Sequence, residues 1–336
     1  MKSNWRARVF LIFAAVCGVV AAASGVMSPG EAGEIKGAVG TPSAPVKTVL
    51  QLKWKHQFQF AGYYAALEKG YYRQAGLEVE IVEAGDGEFT TDKVFRGEAD
   101  FGVAMSDLAL LKGRGLPVVV LAAIDKPSPL GVLALKKSGI ESIRDLAGKR
   151  IMFEPDSADL ETYLAREGVS RADLTVVPYS PDVAKLAGGD VDAMSAYWTD
   201  EPYLLHEKGL DYVFFSPRED GVDFYGDCLF TTREMVERKP ELVEAFLAAS
   251  LEGWRYALER PDEIIELILS KYSRRHSREH LKYEADTSRM LIIPGGDGLG
   301  AMSPERWRSI TDAYAKMKMI PPDINLEGFI YEKSPR

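Results

Sequence analysis

Thr48-Val-Leu-Gln-Leu-Lys-Trp-Lys-His-Gln-Phe-Gln-Phe-Ala-Gly-Tyr-Tyr-Ala-Ala-Leu-Glu-Lys-Gly-Tyr-Tyr-Arg-Gln-Ala-Gly-Leu-Glu-Val-Glu-Ile81 reads as strand, aromatic loop, amphipathic helix, glycine stop and second strand. Val49, Leu50 and Leu52 supply the apolar positions of the first strand. Gly70 and Gly76 stand where helices end, because a left-handed residue there lets the backbone satisfy orphan carbonyls. Trp54, Phe58 and Phe60 cluster between the strand end and the helix start. Ligands of α/β sheets bind outside the carboxyl ends of strands. The stretch therefore sets flat apolar surface where a small molecule would sit.

Outward from it, strand and helix patterns keep alternating. Val79–Val82, Asp100–Val103, Pro117–Ala122 and Leu130–Leu135 read as strands, with short helices at Thr90–Arg96 and Leu108–Lys112. The run 117–122 is almost wholly apolar, as in a strand buried on both faces of a parallel sheet. A second set follows at Lys149–Phe153, Leu174–Pro178, Asp192–Ala196 and Tyr212–Phe215, with helices at Ser142–Leu146 and Ser157–Glu167. In the last third, Pro240 opens a helix. Val243, Phe246, Leu247, Ser250, Trp254 and Ala257 share one of its faces, and Pro261 stops it. Ile264, Ile265 and Ile268 start the next helix, and this apolar stripe reads as core.

The pattern predicts an α/β protein with parallel-rich mixed sheets flanked by helices. Passages of the chain near 135 and 222 imply two lobes. These are residues 47–135 with 223–336, and residues 136–222, with a ligand cleft between them. At 336 residues the chain has room for both.

The N-terminus reads as a targeting segment. Lys2, Arg6 and Arg8 precede an apolar run from Val9 to about Ala23, and Ala21-Ala22-Ala23-Ser24 supplies the small residues of a cleavage site. The run is shorter than the about 20 residues a membrane span needs. A signal peptide over 1–23 and a flexible Gly/Ala/Ser/Pro leader over 24–46 are expected. Bulky Val16 argues against lipid attachment at Cys17. Cleavage removes three basic and no acidic residues, taking the formal charge from −9 to −12. That balance argues against nucleic-acid binding, which needs clustered basic residues. Cys228 is then the one cysteine left, so no internal disulfide forms, and its apolar setting reads as a buried, inert thiol.

The best candidate site gathers aromatic and acidic residues at predicted strand ends and crossovers. They are Trp54, His56, Gln57 and Phe60, then Ser106 and Asp107, Glu154, Tyr197, Trp198 and Glu201, and finally Tyr225 and Asp227. Such rings stack on a planar heterocycle, and carboxylates accept hydrogen bonds from its amino groups. Paired carboxylates such as Asp200 and Glu201 are common on surfaces, and nothing in the sequence marks them as an acid/base pair. His276-Ser-Arg-Glu-His280 has the spacing of an inverted zinc-peptidase motif. With Arg274, Arg275 and Arg278 crowding the turn, it reads instead as a solvated charged helix face. Gly295-Gly-Asp-Gly-Leu-Gly300 lacks the strand–turn–helix setting of a nucleotide fingerprint and reads as a loop. No catalytic residue, metal site or cofactor is expected.

Several of these motifs together carry a resemblance. Trp54, Phe60-Ala-Gly-Tyr-Tyr64, Glu68-Lys-Gly-Tyr-Tyr72, Ala75-Gly-Leu77, Ala99-Asp-Phe-Gly102, Asp145-Leu-Ala-Gly-Lys149, Asp192-Ala193, Phe224-Tyr-Gly-Asp227 and the closing Asn325-Leu-Glu-Gly-Phe-Ile-Tyr331 are the residues concerned. From about residue 47 to the end, the chain resembles the thiamine-pyrimidine-precursor (no-message-in-thiamine) family. That family includes periplasmic solute-binding proteins of ABC importers, related to the SsuA type, and the eukaryotic pyrimidine synthase. The resemblance implies a bilobed type II periplasmic-binding-protein fold closing on a thiamine pyrimidine precursor or similar heterocycle. It places Trp54, Tyr63, Glu154, Tyr197, Glu201, Tyr225 and Asp227 near the ligand. It also implies a periplasmic location, an ABC permease as partner, and a monomer. The synthase branch uses pyridoxal phosphate, histidine and iron and carries a cysteine cluster, where this chain has Cys228 alone. A ligand-sensing subunit for a membrane signalling protein is a further alternative.

Overall fold

A computed structural model describes residues 44–85, 87–154, 157–293 and 298–333. The expected signal peptide and nearly all of the leader lie outside the described residues, as do Gly295, Gly296 and Asp297 of the glycine-rich stretch.

The opening segment folds as its pattern predicts. Strand β1 (Val46–Gln51) is followed by a 3-10 turn (Phe58–Phe60), the helix Ala61–Glu68 and β2 (Leu77–Val82). Gly70 takes a left-handed φ of 77°, which ends the helix and starts a further single turn. β1 pairs in parallel with β2 and with β3 (Phe101–Ala104). β4 (Val118–Ala123) is buried along its whole length. The second sheet holds β5 (Leu130–Leu135), β6 (Arg150–Met152), β7 (Thr175–Val177), β8 (Ala193–Tyr197) and β9 (Tyr212–Phe215). The chain then returns to the first sheet as β10 (Cys228–Thr232).

Two five-stranded mixed sheets result, ordered β2-β1-β3-β10-β4 and β7-β6-β8-β5-β9. Each has three parallel neighbours and then one reversed strand. β10 runs antiparallel to β3 and β4, and β5 runs antiparallel to β8 and β9. Burial of β4 therefore does not come from an all-parallel sheet, as its apolar run suggested. The reversed β10 covers one of its edges. A second correction concerns β5. The sequence reading placed residues up to 135 with the first lobe, yet β5 pairs wholly within the second sheet. The first passage between sheets falls at 124–129, because an apolar strand does not itself specify which sheet it joins.

The core that positions the site is aromatic. Phe101 and Phe246 stack at 3.9 Å, and Tyr72 stacks on Phe246 at 5.1 Å. The helix Ala61–Glu68 lies hard against the helix Pro240–Glu259. A methyl at Gly253 would stand 2.1 Å from the carbonyl oxygen of Gly62, so only glycine permits this approach. Tight packing here fixes the segment that carries Lys53, Trp54 and Gln57.

Candidate functional site

Lys53, Trp54, Gln57, Gln59, Glu154, Tyr179, Tyr197, Asp200 and Glu201 line a narrow cavity of about 290 Å³, counting the space at its mouth. The first four follow β1, Glu154 follows β6, Tyr179 follows β7, and Tyr197 to Glu201 close β8. Parallel strands of both sheets thus deliver their carboxyl ends to one gap. Asp227 joins from the start of β10, which lies beside the carboxyl end of β3 because the two strands run in opposite directions.

Charge organises the cavity. Lys53 reaches across it, pairing with Asp227 Oδ1 at 2.9 Å, meeting the Tyr197 hydroxyl, and lying 4.6 Å from the centre of the Tyr197 ring. Gln59 Nε2 donates to the other oxygen of Asp227 at 2.8 Å. Burial pulls the Lys53 ammonium down, but Asp227, Glu154 and Asp107 together hold it above its ordinary value. The Tyr197 amide donates to Glu201 Oε2 at 2.7 Å, and the Glu154 amide donates to Ser195 Oγ at 2.6 Å. Burial, reinforced by neighbouring Asp200, pushes the Glu201 carboxyl well up. On the rim, the Arg275 guanidinium lies 5.9 Å from the centre of the Trp54 ring and donates to Gln57 Oε1.

Of the residues singled out from sequence, Trp54, Gln57, Glu154, Tyr197 and Glu201 line this cavity, and Asp227 anchors it through Lys53 and Gln59. Asp107, half-buried after β3, acts on Lys53 through its charge. Three residues belong elsewhere. Phe60 is wholly buried in the core around the first sheet. Tyr63 packs edge-on against Trp254 at 5.7 Å. Tyr225 turns away to Trp307 and Arg306, and its hydroxyl accepts from the Ser303 amide at 2.8 Å. Phe60 and Tyr63 pack into the aromatic core, while Tyr225 is held by Trp307, the Arg306 guanidinium and the Ser303 amide. His56 and Trp198 serve as supports, His56 Nδ1 through a 2.9 Å hydrogen bond with the Tyr64 hydroxyl and Trp198 through its carbonyl, which accepts from Tyr283.

Asp200 and Glu201 are both buried. One further expectation fails, since the stretch from His276 to His280 is not a solvated helix face. His276 precedes the helix Arg278–Ile292, whose N-cap is Ser277, and His280 in its first turn is buried. Arg274 and Arg278 point away, Arg278 toward Asp262 and Glu266. Lys53, Gln59, Tyr179 and Asp200 went unrecognised as lining residues. Lys53 carried one usable signal, a basic residue at a strand end directly before the key tryptophan. A larger groove, about 1390 Å³ counted in the same way, lies between Arg233, Glu237, Arg308 and Tyr331. It gathers no buried, unpaired polar side chain, and the strand-end cavity is the better site.

The fold matches solved binding proteins. The periplasmic aliphatic sulphonate binding protein SsuA from Escherichia coli superposes with a TM-score of 0.67 over 85% of this chain and 98% of that one, at 17% identity. The architecture is therefore the periplasmic-binding-protein fold. Residues 57–264, more than half of the chain, match the NMT1/THI5-like family, and the chain belongs to it. Relatives include a 4-amino-5-hydroxymethyl-2-methylpyrimidine phosphate synthase of Legionella pneumophila, 28% identical over 66% of this chain and 72% of that protein. A formylaminopyrimidine-binding protein of Halalkalibacterium halodurans is 24% identical over 78% of this chain and 82% of its own length.

Proposed function

We propose that this protein is an extracytoplasmic solute-binding protein of an ABC importer that captures a pyrimidine-type thiamine precursor or a similar small heterocycle. The observation that carries the reading is the strand-end cavity. It sets the Trp54, Tyr179 and Tyr197 rings beside the Glu154 and Glu201 carboxyls. Rings give stacking surface, and carboxyl oxygens accept from exocyclic amino groups in a partly desolvated setting. The pyrimidine-binding relative and the SsuA-like fold support the same class. Lys53 spans the gap, so capture requires it to swing aside or to donate to the ligand.

A synthase reading draws on the relative in Legionella pneumophila. Against it stands the cysteine count, since Cys228 is buried and burial pushes its thiol well up. A thermal-shift screen with thiamine, its pyrimidine fragments, nucleobases and sulfonates tests the proposal, because a bound ligand raises the melting temperature by mass action. Stabilisation by an aminopyrimidine, lost in Trp54→Ala while that variant stays folded, is the expected result. Pyrimidine formation from pyridoxal phosphate and iron would overturn it.

A further inference from the structure

Behind the cavity, four side chains from two distant parts of the chain converge. Asp200 sits at the N-cap of the helix Glu201–Glu207, directly after β8 of the second sheet. His276, His280 and Glu284 come from the Arg278–Ile292 helix and the turn before it, a helix that packs on the Phe58–Phe60 turn following β1. One donor atom from each of the four lies within 4.8 Å of the others. His280 Nε2 is 2.9 Å from Asp200 Oδ1 and 3.7 Å from Glu284 Oε1. His276 Nε2 is 4.0 Å from each carboxylate. A tetrahedral zinc site with ordinary bond lengths spaces its donors by about 3.4 Å, inside this range.

The polar atoms are left unsatisfied in a way hydrogen bonding does not explain. His280 and Glu284 are each 1% exposed. His280 Nε2, Glu284 Oε1 and Asp200 Oδ1 are buried without a conventional hydrogen-bond partner, although His280 Nε2 approaches Asp200 Oδ1 to 2.9 Å as an ion pair. Buried polar atoms are nearly always paired, and three orphans facing one point call for an ion. The supporting contacts have the character of an outer shell. Glu284 Oε2 accepts from the Phe58 amide at 2.8 Å, which leaves Oε1 free to ligate. The His280 ring stacks on Tyr203 at 4.7 Å, which fixes its plane.

We infer that Asp200, His276, His280 and Glu284 form a site for one divalent first-row transition ion, with zinc the best fit. Two imidazoles select against magnesium and calcium, which prefer all-oxygen shells. Two carboxylates neutralise the ion, so a buried site carries no net charge. Glu279, the acid of the sequence motif, is exposed and takes no part, whereas Glu284, one turn further along, completes the set. The Arg275 guanidinium lies 3.1 Å from His276 Nε2 and is the group the ion must displace. Because Arg275 also holds Gln57 and covers Trp54, loading the ion frees that rim of the cavity. The ion then straps the segment after β8 to the helix behind β1, tying the two sheets across the gap. The inference does not depend on which heterocycle the cavity takes.

The test is zinc binding to the purified protein after stripping with EDTA and dialysis. Calorimetry with zinc chloride should give one ion per chain, and cobalt(II) should give the visible bands of a four-coordinate nitrogen and oxygen site. Loss of a ligand should weaken binding at least as much as loss of an outer-shell partner, about 10–100-fold. His280→Gln and Glu284→Gln read this directly. His276→Gln and Asp200→Asn, nearer the rim, repeat it if the buried variants fail to fold. Zinc should also raise the melting temperature of the wild type and not of these variants. No binding by the stripped wild type, or binding that His276→Gln and Asp200→Asn leave unchanged, overturns the site.

Discussion

The Lys53–Asp227 pair offers the sharpest check on how the cavity is held. Lys53→Met keeps most of the stem's volume but removes the ammonium. Asp227 then loses its 2.9 Å partner and faces Asp125, whose carboxyl is already driven well up by burial and by Asp227 itself. Breaking a buried pair on one side costs about 3–5 kcal/mol. Gln59 still donates to Asp227, so the lower end, about 3 kcal/mol, is expected. Asp227→Asn leaves Lys53 with Glu154 and Asp107 nearby and should cost less, about 2 kcal/mol. The double variant leaves no orphaned charge, so its loss should fall short of the sum by about 2 kcal/mol. Urea unfolding at pH 7.5 measures all three against the wild type, with unchanged m-values confirming a common transition. Additivity within about 0.5 kcal/mol would refute the view that the two charges depend on one another.

Other expectations follow from single contacts. Burial raises the Asp159 carboxyl to about 6 from its ordinary 3.8. The folded state thus holds this proton more tightly than the unfolded chain. The group's stabilisation is full below pH 3.8 and is lost as pH rises toward 6. The loss is at most about 3 kcal/mol. Asp159→Asn should flatten this trend. A wild type that gains on the variant as pH rises from 4 to 7 in paired unfolding curves contradicts it. Gly253→Ala drives a methyl to 2.1 Å from the Gly62 carbonyl and should destabilise by about 3 kcal/mol in chemical denaturation; a neutral effect would mean the two helices yield freely. Cys228, wholly buried, should resist thiol reagents in the native protein and react on unfolding; rapid native labelling would show an opening the packing does not allow.

The sequence by itself determined the order of elements and the edge on which chemistry gathers. Short apolar-rich runs in β1, β3, β6 and β8 marked strands, and polar or aromatic residues just beyond strand ends marked Trp54, Gln57, Glu154, Tyr197 and Glu201. Periodicity reports local geometry, and strand-end placement is a local property. Tertiary structure alone decided which sheet β5 joins, since an apolar strand satisfies either. It also decided that Phe60 and Tyr63 turn into the aromatic core and that Tyr225 turns to Trp307, Arg306 and Ser303. The charged constellations were the least legible. Lys53 with Asp227, and Asp200 with His276, His280 and Glu284, join residues far apart in the chain. Their meaning comes from burial, which turns ordinary surface-type side chains into groups that must find a partner.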